Sequence, residues 1–181
     1  MSDIAATDIL VEAPPGATHG LLRFHGQTCP CALGRSGIIA DKREGDGATP
    51  TGVYPLRELH FRADRISPPA SLLTTHELRP DEGWCDAPGD PAYNRPVTRP
   101  YPASHETLWR EDHLYDIVIM LGYNDDPVVP GKGSAIFFHL AKEIDSVLQP
   151  TEGCVALLFS DMLEVLKNVT PQTRMTIRLT A

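Results

Sequence analysis

The sequence predicts a mainly β fold with long irregular loops and one short helix. Short apolar segments, some alternating and some continuous, recur along the 181 residues and are separated by turn residues. Seventeen prolines and fourteen glycines favour many turns and long connections over a helical bundle. A chain of this length is usually one domain and can bury a sizeable core. We therefore expect a single domain over residues 1–181, with an N-terminal hairpin within residues 1–33 as an integral part.

The first half of the chain contains three predicted strands. Residues 7–12 and 19–29 are typical of a hairpin, because two apolar segments flank the turn-forming string APPGAT. Residues 53–61 alternate enough to form a further strand. Residues 34–52 predict a long ordered loop, and residues 67–104, rich in Pro, Asp and Gly, predict irregular structure. A loop this long in a compact domain is more often functional than idle.

The second half contains four predicted strands and the helix. The predicted strands cover residues 113–124, 134–141, 154–159 and 174–179. Residues 160–169 predict the short helix, because Ser160 can cap it and Asp161 favours its first turn. The apolar residues of this segment fall on one helical face, namely Met162, Val165, Leu166 and Val169.

The composition argues against two classes of protein. Hydrophobic residues make up 41% and charged residues 22%, as in globular proteins, and no apolar run approaches the length of a membrane span. Sixteen basic against twenty-four acidic residues give a net charge of −8, which argues against a nucleic-acid partner. The first residues lack a basic region followed by a long apolar one, so the given sequence predicts no export signal. This observation leaves a cytoplasmic location open.

The four cysteines are Cys29, Cys31, Cys85 and Cys154. Cys29 and Cys31 flank a single proline, a tighter spacing than the two-residue gap of zinc-binding cysteine pairs, so no metal site is expected. We interpret Cys29, Cys31 and Cys85 as small buried apolar residues. A disulfide that uses Cys85 stays open.

Cys154 and His139 are the candidate catalytic pair. A cysteine nucleophile needs a base within hydrogen-bond reach and backbone amides directed at the oxyanion. Alternation along the segment SAIFFH places His139 on the face of Phe137 and opposite Phe138. Gly153 leaves room for a substrate carbonyl to approach the amides of Gly153 and Cys154. From residue types alone, the alternative is that Cys154 is a buried apolar residue and His139 a hydrogen-bonded core residue.

Two motifs extend this hypothesis to a family. His139 is followed, after a loop, by the segment TEGCV at residues 151–155, and residues 49–52 read TPTG ahead of a predicted strand. In these motifs, and in the strings ADKREGDGATPTG, YNRPV, PASHETLWRED and LGYND, the chain resembles the L,D-transpeptidase catalytic domain of the YkuD type. The resemblance covers residues 34–181. It implies a β-sandwich-like domain of mixed sheets, with the short helix after the catalytic cysteine.

The resemblance implies acyl transfer on peptidoglycan stem peptides. The thiolate of Cys154 would attack the carbonyl of the diamino acid at position three of a tetrapeptide stem, and His139 would handle protons. The amides of Gly153 and Cys154 would hold the oxyanion. The acyl group would then pass to an amine of a second stem, which cross-links the cell wall. The resemblance also implies no metal or organic cofactor, acylation of the thiol by carbapenem-type β-lactams, and a location in the periplasm or cell envelope.

Two alternatives remain open at this point. One is a cysteine amidase or L,D-carboxypeptidase that passes the acyl group of muropeptides to water, and the other is a non-catalytic cell-wall binding module. The sequence departs from the common family pattern at three positions near the pair. Leu140 stands where Gly is frequent, Glu152 where His or Lys is frequent, and Ala156 where Arg or Asn is frequent. These positions bear on donor and acceptor specificity.

Further residues are candidates for substrate binding. Thr151 and Glu152 adjoin the nucleophile in the sequence. The strings that carry the resemblance add Arg95, His105, Trp109 and Tyr123. An acidic enzyme that acts on an anionic polymer needs local positive groups. The candidates in the long loops are Arg35, Lys42, Arg43 and Arg95. For each of these residues the alternative is a structural or solvated surface role.

Overall fold

The computed structural model describes residues 8–180, which form sixteen strands and one helix. The strands of the first half are β1 (Ile9–Ala13), β2 (His19–Phe24), β3 (Gln27–Ala32), β4 (Ile38–Ile39), β5 (Thr49–Pro50), β6 (Gly52–Phe61), β7 (Thr74–Glu77) and β8 (Glu82–Cys85). The later elements are β9 (Pro96–Thr98), β10 (His105–Thr107), β11 (Ile117–Leu121), β12 (Phe137–Leu140), β13 (Glu143–Ile144), β14 (Val147–Leu148), β15 (Val155–Leu157), α1 (Phe159–Leu166) and β16 (Arg174–Leu179). The predicted domain limits, residues 1–181, stay a prediction, because residues 1–7 and 181 lie outside the described part.

Nine strands form one mixed sheet in the order β11-β12-β15-β3-β2-β1-β16-β6-β7. An additional pairing of β11 with β6 returns the sheet to its first strand, so that it closes in the manner of a barrel. The pairs β1–β16 and β12–β15 are parallel, whereas β2–β3 and β11–β12 are antiparallel. Strands β8, β9 and β10 form a separate three-stranded sheet. The predicted mainly β, sandwich-like fold of mixed sheets with one short helix is confirmed.

Strand β12 separates two buried clusters. The main core includes Ile9, Val11, Leu59, Ile117, Ile119, Phe138, Leu140, Val155, Leu157, Met162 and Leu166. The second cluster consists of Leu78, Leu108, Tyr115, Val118, Met120, Phe137 and Cys154. Successive side chains of a strand point to opposite faces, so β12 sends Phe138 into the main core and Phe137 into the second cluster. The predicted alternation of the segment SAIFFH is confirmed.

Most predicted strands are confirmed, with differences at their ends. Strand β16 covers the predicted residues 174–179, and β6 extends the predicted residues 53–61 by one residue. The predicted strand over residues 19–29 is divided into β2 and β3. His25 and Gly26 have φ angles of 47° and 77° and form the tight turn between them.

Two sequence expectations are wrong. Residues 67–104 are not irregular throughout, because they contain β7, β8 and β9, strands of three or four residues whose Pro-rich connections obscure their pattern. The helix begins at Phe159 with Leu158 as its N-cap and without a side-chain cap. Ser160 therefore lies inside the first turn instead of capping the helix, which has eight residues.

The four cysteines are free thiols. Cys31, Cys85 and Cys154 are buried, and Cys29 is partly buried. Cys31 belongs to the main core and Cys29 packs against it, as expected of small apolar residues.

We expect Phe138→Ala to lower the free energy of unfolding by about 3–5 kcal/mol, because it removes a fully buried ring from the main core. Phe159→Ala is the matched control, since the Phe159 side chain is 45% exposed and that of Phe138 is 0% exposed. Equilibrium unfolding in urea measures both variants. Equal losses of stability would contradict the assignment of Phe138 to the core.

Candidate active site

Backbone pairing places the two predicted catalytic residues beside each other. His139 lies in β12, and Cys154 directly precedes β15. In the parallel pairing of these strands, Phe138 is opposite Val155, so Cys154 lies next to Phe137. Both His139 and Cys154 line one cavity of about 330 Å³.

The Cys154 thiol is held by backbone groups. The Phe137 N–H donates to Sγ over 3.3 Å, and Sγ donates to the Ala135 carbonyl over 3.4 Å. Within residues 8–180, no hydrogen bond joins Sγ to the imidazole of His139. Burial raises the pKa of the Cys154 thiol from 9.0 to about 12, against a smaller opposite effect of the Phe137 N–H. The thiol is therefore neutral at neutral pH.

The His139 imidazole is also buried and neutral. Its Nδ1 lies 2.8 Å from the Leu140 carbonyl oxygen, which can only accept, so Nδ1 carries the proton and Nε2 has the lone pair. The ring of Tyr115 packs edge-on against the imidazole, with 5.1 Å between ring centroids. Burial lowers the pKa of His139 from 6.5 to about 4. His139 thus lines the cavity as a neutral imidazole.

The turn before the thiol requires glycine. Gly153 has a φ of 137°, and a Cβ at this position would lie 2.8 Å from the Ala48 carbonyl oxygen. The Gly153 N–H donates to the Thr151 hydroxyl over 3.1 Å, and that hydroxyl donates to the Cys154 carbonyl over 2.7 Å. Of the two amides predicted to hold an oxyanion, that of Gly153 is thus engaged. The Cys154 N–H donates to no residue between Asp8 and Thr180.

Thr49 is a positioning residue that the sequence reasoning missed. Its side chain is fully buried. Its hydroxyl accepts from the Gly34 N–H over 2.8 Å and donates to the Cys154 carbonyl over 3.4 Å. Thr49 is the first residue of the motif TPTG, so this motif was the sequence feature that could have identified it. Thr49 connects the long loop of residues 34–52 to the backbone that carries the candidate nucleophile.

The three residues that depart from the common family pattern have different surroundings. Leu140 packs in the main core, and Ala156 is buried in a small cluster with Ala32 and Leu148. Glu152 alone of the three lines the cavity. The substitutions at Leu140 and Ala156 therefore change packing, whereas Glu152 changes the charge that a ligand meets.

Of the four cationic side chains predicted to meet a ligand, one lines the cavity and three do not. Lys42 lines the cavity, and its ammonium pairs with Asp46 over 2.5 Å. Arg35 pairs with Glu152 over 2.8 Å at the cavity rim. The other two lie elsewhere, where Arg43 pairs with Asp41 over 3.1 Å and Arg95 donates to the Asp125 carbonyl over 2.7 Å.

The other residues predicted to bind substrate also divide into those that line the cavity and those that do not. Thr151 lines the cavity together with Glu152. Three others lie outside its lining residues and have structural contacts. The His105 ring nitrogen contacts the Ala103 carbonyl at 2.8 Å, the Arg62 guanidinium lies 3.6 Å from the ring centroid of Trp109, and the Tyr123 hydroxyl donates to the Lys132 carbonyl.

Several lining residues were not predicted. They include Glu44, Asp86, Glu106, Arg110, Tyr115, Ser134 and Lys142. Burial raises the pKa of Glu106, which accepts hydrogen bonds from Tyr115 and Arg110 at 3.2 and 3.1 Å. Glu106 and Arg110 belong to the string PASHETLWRED, so the resemblance pointed to the right segment but to its neighbours His105 and Trp109.

Comparison with known proteins identifies the family. A family model described as the L,D-transpeptidase catalytic domain, YkuD, matches residues 19–177. The chain belongs to this family. YkuD-type domains act on peptidoglycan, generally in the cell envelope. The match begins at β2, earlier in the chain than the motifs that carry the sequence resemblance.

Solved structures provide a more distant likeness. Two structures of the helical cell shape determining protein Pgp2 from Campylobacter jejuni, a single-residue mutant and the unsubstituted protein, are 16% identical to this YkuD-type chain, with TM-scores of 0.44 and 0.42. Each alignment covers 96% of this chain and 48% of the Pgp2 chain, so this chain spans about half the length of that protein. No curated protein is significantly similar to the present chain.

Two further observations concern the described residues of this YkuD-type domain. Between Asp8 and Thr180, no group of three or more His, Cys, Asp or Glu side chains is arranged to hold a metal ion. The helix found in this part of the chain is too short to cross a membrane.

We expect alkylation of Cys154 by iodoacetamide to accelerate about tenfold per pH unit between about pH 7 and about pH 10 without levelling off. The raised thiol pKa of about 12 keeps the reactive thiolate a small fraction throughout this range. Peptide mapping by mass spectrometry follows Cys154 separately from the other cysteines. The urea-unfolded chain is the control, in which the rate should level off near the ordinary thiol pKa of about 8.5. If the alkylation rate of the folded protein levelled off near neutral pH, this would contradict the conclusion that the Cys154 thiol is neutral there.

Proposed function

We propose that this protein is a cysteine-dependent L,D-transpeptidase that acts on peptidoglycan stem peptides. The observation that carries the proposal is that His139 and Cys154 line one cavity, within a chain that belongs to the L,D-transpeptidase catalytic domain family. The reaction is acyl transfer, in which Cys154 is the nucleophile and His139 the base. The expected location is the cell envelope.

The first half of the proposed reaction acylates the thiol. Sγ of Cys154 attacks the carbonyl carbon of the diamino acid at position three of a tetrapeptide stem, and its proton passes to Nε2 of His139 as the C–S bond forms. This order follows from the protonation states, since burial keeps both groups neutral before substrate binds. The C–N bond to the terminal D-alanine then breaks, and the leaving amine takes the proton from His139.

The backbone amide of Cys154 is the supported donor for the oxyanion. It has no hydrogen-bond partner between Asp8 and Thr180, and it belongs to the residue that attacks. The Gly153 N–H can join it only if it leaves the Thr151 hydroxyl, to which it donates over 3.1 Å. An unengaged donor close to the developing negative charge lowers the barrier because it needs no reorganisation during the reaction.

The second half of the reaction transfers the acyl group. An amine of a second stem attacks the thioester carbonyl, the C–N bond forms, the C–S bond breaks, and the Cys154 thiol is restored. Attack by water gives a carboxypeptidase instead. Among the predicted cationic groups, Lys42 is the one that lines the cavity, and its ammonium is the candidate partner for a substrate carboxylate.

We expect Cys154→Ala to abolish both acylation and cross-linking. Intact-protein mass spectrometry after incubation with a carbapenem should show one adduct on the wild type and none on Cys154→Ala. Cys29→Ala is the matched control and should keep the adduct, since Cys29 lies outside the cavity lining. An equal adduct on Cys154→Ala would refute the assignment of the nucleophile.

Product analysis with a tetrapeptide stem then separates the alternatives. A dimer together with released D-alanine supports the transpeptidase. A free tripeptide stem without dimer supports the hydrolase, and retained binding of the stem by a protein whose Cys154 does not react supports a non-catalytic module.

We expect His139→Gln to slow acylation of Cys154 by about 100-fold or more, because a general base typically contributes 10²–10⁴-fold. The rate of adduct formation with the same carbapenem measures this effect. The wild-type pH–rate profile should show an acidic limb that the variant lacks, since protonation of His139 removes the base. The same limb in both proteins would assign His139 to a structural role.

A further inference from the structure

Four carboxylates line the cavity that contains Cys154, and they differ in their contacts and exposure. The four are Glu44, Asp86, Glu106 and Glu152. Glu44 accepts hydrogen bonds from the hydroxyls of Tyr93 and Ser134. Glu152 pairs with Arg35 over 2.8 Å. Glu106 is less exposed than Glu152, with side-chain exposures of 30% and 79%, and one of its oxygens stays available to a ligand.

The Glu106 carboxylate is held on one side and unengaged on the other. Its Oε1 accepts from the Tyr115 hydroxyl at 3.2 Å and from the Arg110 guanidinium at 3.1 Å. Its Oε2 accepts from no residue between Asp8 and Thr180. Arg110 is further fixed by Asp112, to which it donates at 2.9 and 2.7 Å. The carboxylate is therefore positioned by protein contacts while one oxygen stays available to a ligand.

Asp86 adds to the negative potential beside Glu106. The pairing of β8 with β10 aligns Cys85 with His105, which places Asp86 next to the strand that carries Glu106. Oδ1 of Asp86 is buried and has no hydrogen-bond partner in the described structure. A buried carboxylate oxygen without a donor is costly, and a positive charge in the neighbouring cavity would offset part of that cost through space.

The charge of Glu106 opposes the first half of the proposed reaction. It lies close enough to Cys154 to raise the pKa of the thiol, whereas Lys42 and Arg110 lower it. A carboxylate here therefore hinders thiolate formation. Once the thiol is acylated this penalty disappears, because the thioester has no charge. A carboxylate at this position in the cavity therefore suits a step that follows acylation, or a ligand that is itself positive.

We propose that Glu106 is a specificity-determining residue that binds the ammonium group of the acyl acceptor and takes its proton before it attacks the acyl-enzyme. This inference rests on the proposed function. The ammonium donates to Oε2 of Glu106, with Asp86 contributing attraction.

A proton passes from nitrogen to the carboxylate, and the neutral amine attacks the thioester carbonyl. The C–N bond forms, and the second amine proton passes to His139. The C–S bond breaks, and the departing Cys154 sulfur recovers that proton, while Glu106 releases its own to solvent.

The test separates aminolysis from acylation in Glu106→Gln. The substitution keeps an oxygen that accepts from Tyr115 and Arg110 and removes the charge. With a tetrapeptide stem as donor and a tripeptide stem as acceptor, chromatography gives the ratio of dimer to hydrolysed tripeptide. We expect this ratio to fall about tenfold or more, while the rate of the carbapenem adduct stays the same or rises because an anion near the thiol is lost.

Two controls exclude a merely structural role. With hydroxylamine as acceptor, which is uncharged at neutral pH, Glu106→Gln should leave the ratio of aminolysis to hydrolysis unchanged. Glu77→Gln removes an exposed carboxylate that lies outside the cavity lining and should leave the dimer ratio unchanged. Glu106→Asp keeps the negative charge on a shorter side chain, so its ratio of dimer to hydrolysed tripeptide should lie between those of Glu106→Gln and the wild type. This variant also tests the inference if Glu106→Gln is unstable.

Three results would overturn the inference. An unchanged dimer ratio in Glu106→Gln would show that the carboxylate does not select the acceptor. Equal losses of carbapenem acylation and dimer formation would assign Glu106 to a structural role. A wild type that forms no adduct and releases no D-alanine would refute the proposed function itself, and the inference with it.

Discussion

The parallel pairing of β12 with β15 is the constraint on which the rest of the site depends. Phe138 stands opposite Val155 in this pairing, and the preceding residue, Phe137, donates its N–H to the Cys154 thiol over 3.3 Å. Because side chains alternate along a strand, His139 faces the same side as Phe137. Packing of Phe138 in the main core therefore fixes the positions of both the candidate nucleophile and the candidate base. Backbone pairing positions these groups without a direct hydrogen bond between them.

Burial at these positions determines the protonation states. A low-dielectric surrounding disfavours the charged form of each group, so it raises the pKa of the Cys154 thiol to about 12 and lowers that of His139 to about 4. The resulting neutral pair limits the reactivity of the thiol until a substrate carbonyl accepts electron density from sulfur. Proton transfer can then accompany bond formation, because the Leu140 carbonyl holds the imidazole in the tautomer with Nε2 unprotonated.

The two half-reactions of the proposed mechanism place opposite demands on the charges around the cavity. Formation of a thiolate is favoured by nearby cations, and Lys42 and Arg110 both lower the pKa of Cys154. Recruitment of an ammonium group is favoured by anions, and Glu106 lines the cavity with Asp86 close to it. Arg110 and Tyr115 both donate to one oxygen of Glu106, so this network fixes the position of the carboxylate beside an opposite charge.

The sequence was enough to predict the strand pattern around the candidate pair, the face on which His139 lies, and the glycine that the turn before Cys154 requires. These are local properties, since alternation and φ preference are recorded in neighbouring residues. It did not reveal the sheet of β8, β9 and β10, and so it favoured His105 and Trp109 over their neighbours Glu106 and Arg110. The cavity lining and the protonation states of its residues could not be predicted in this way, because burial and electrostatic potential arise from segments that are distant in the chain.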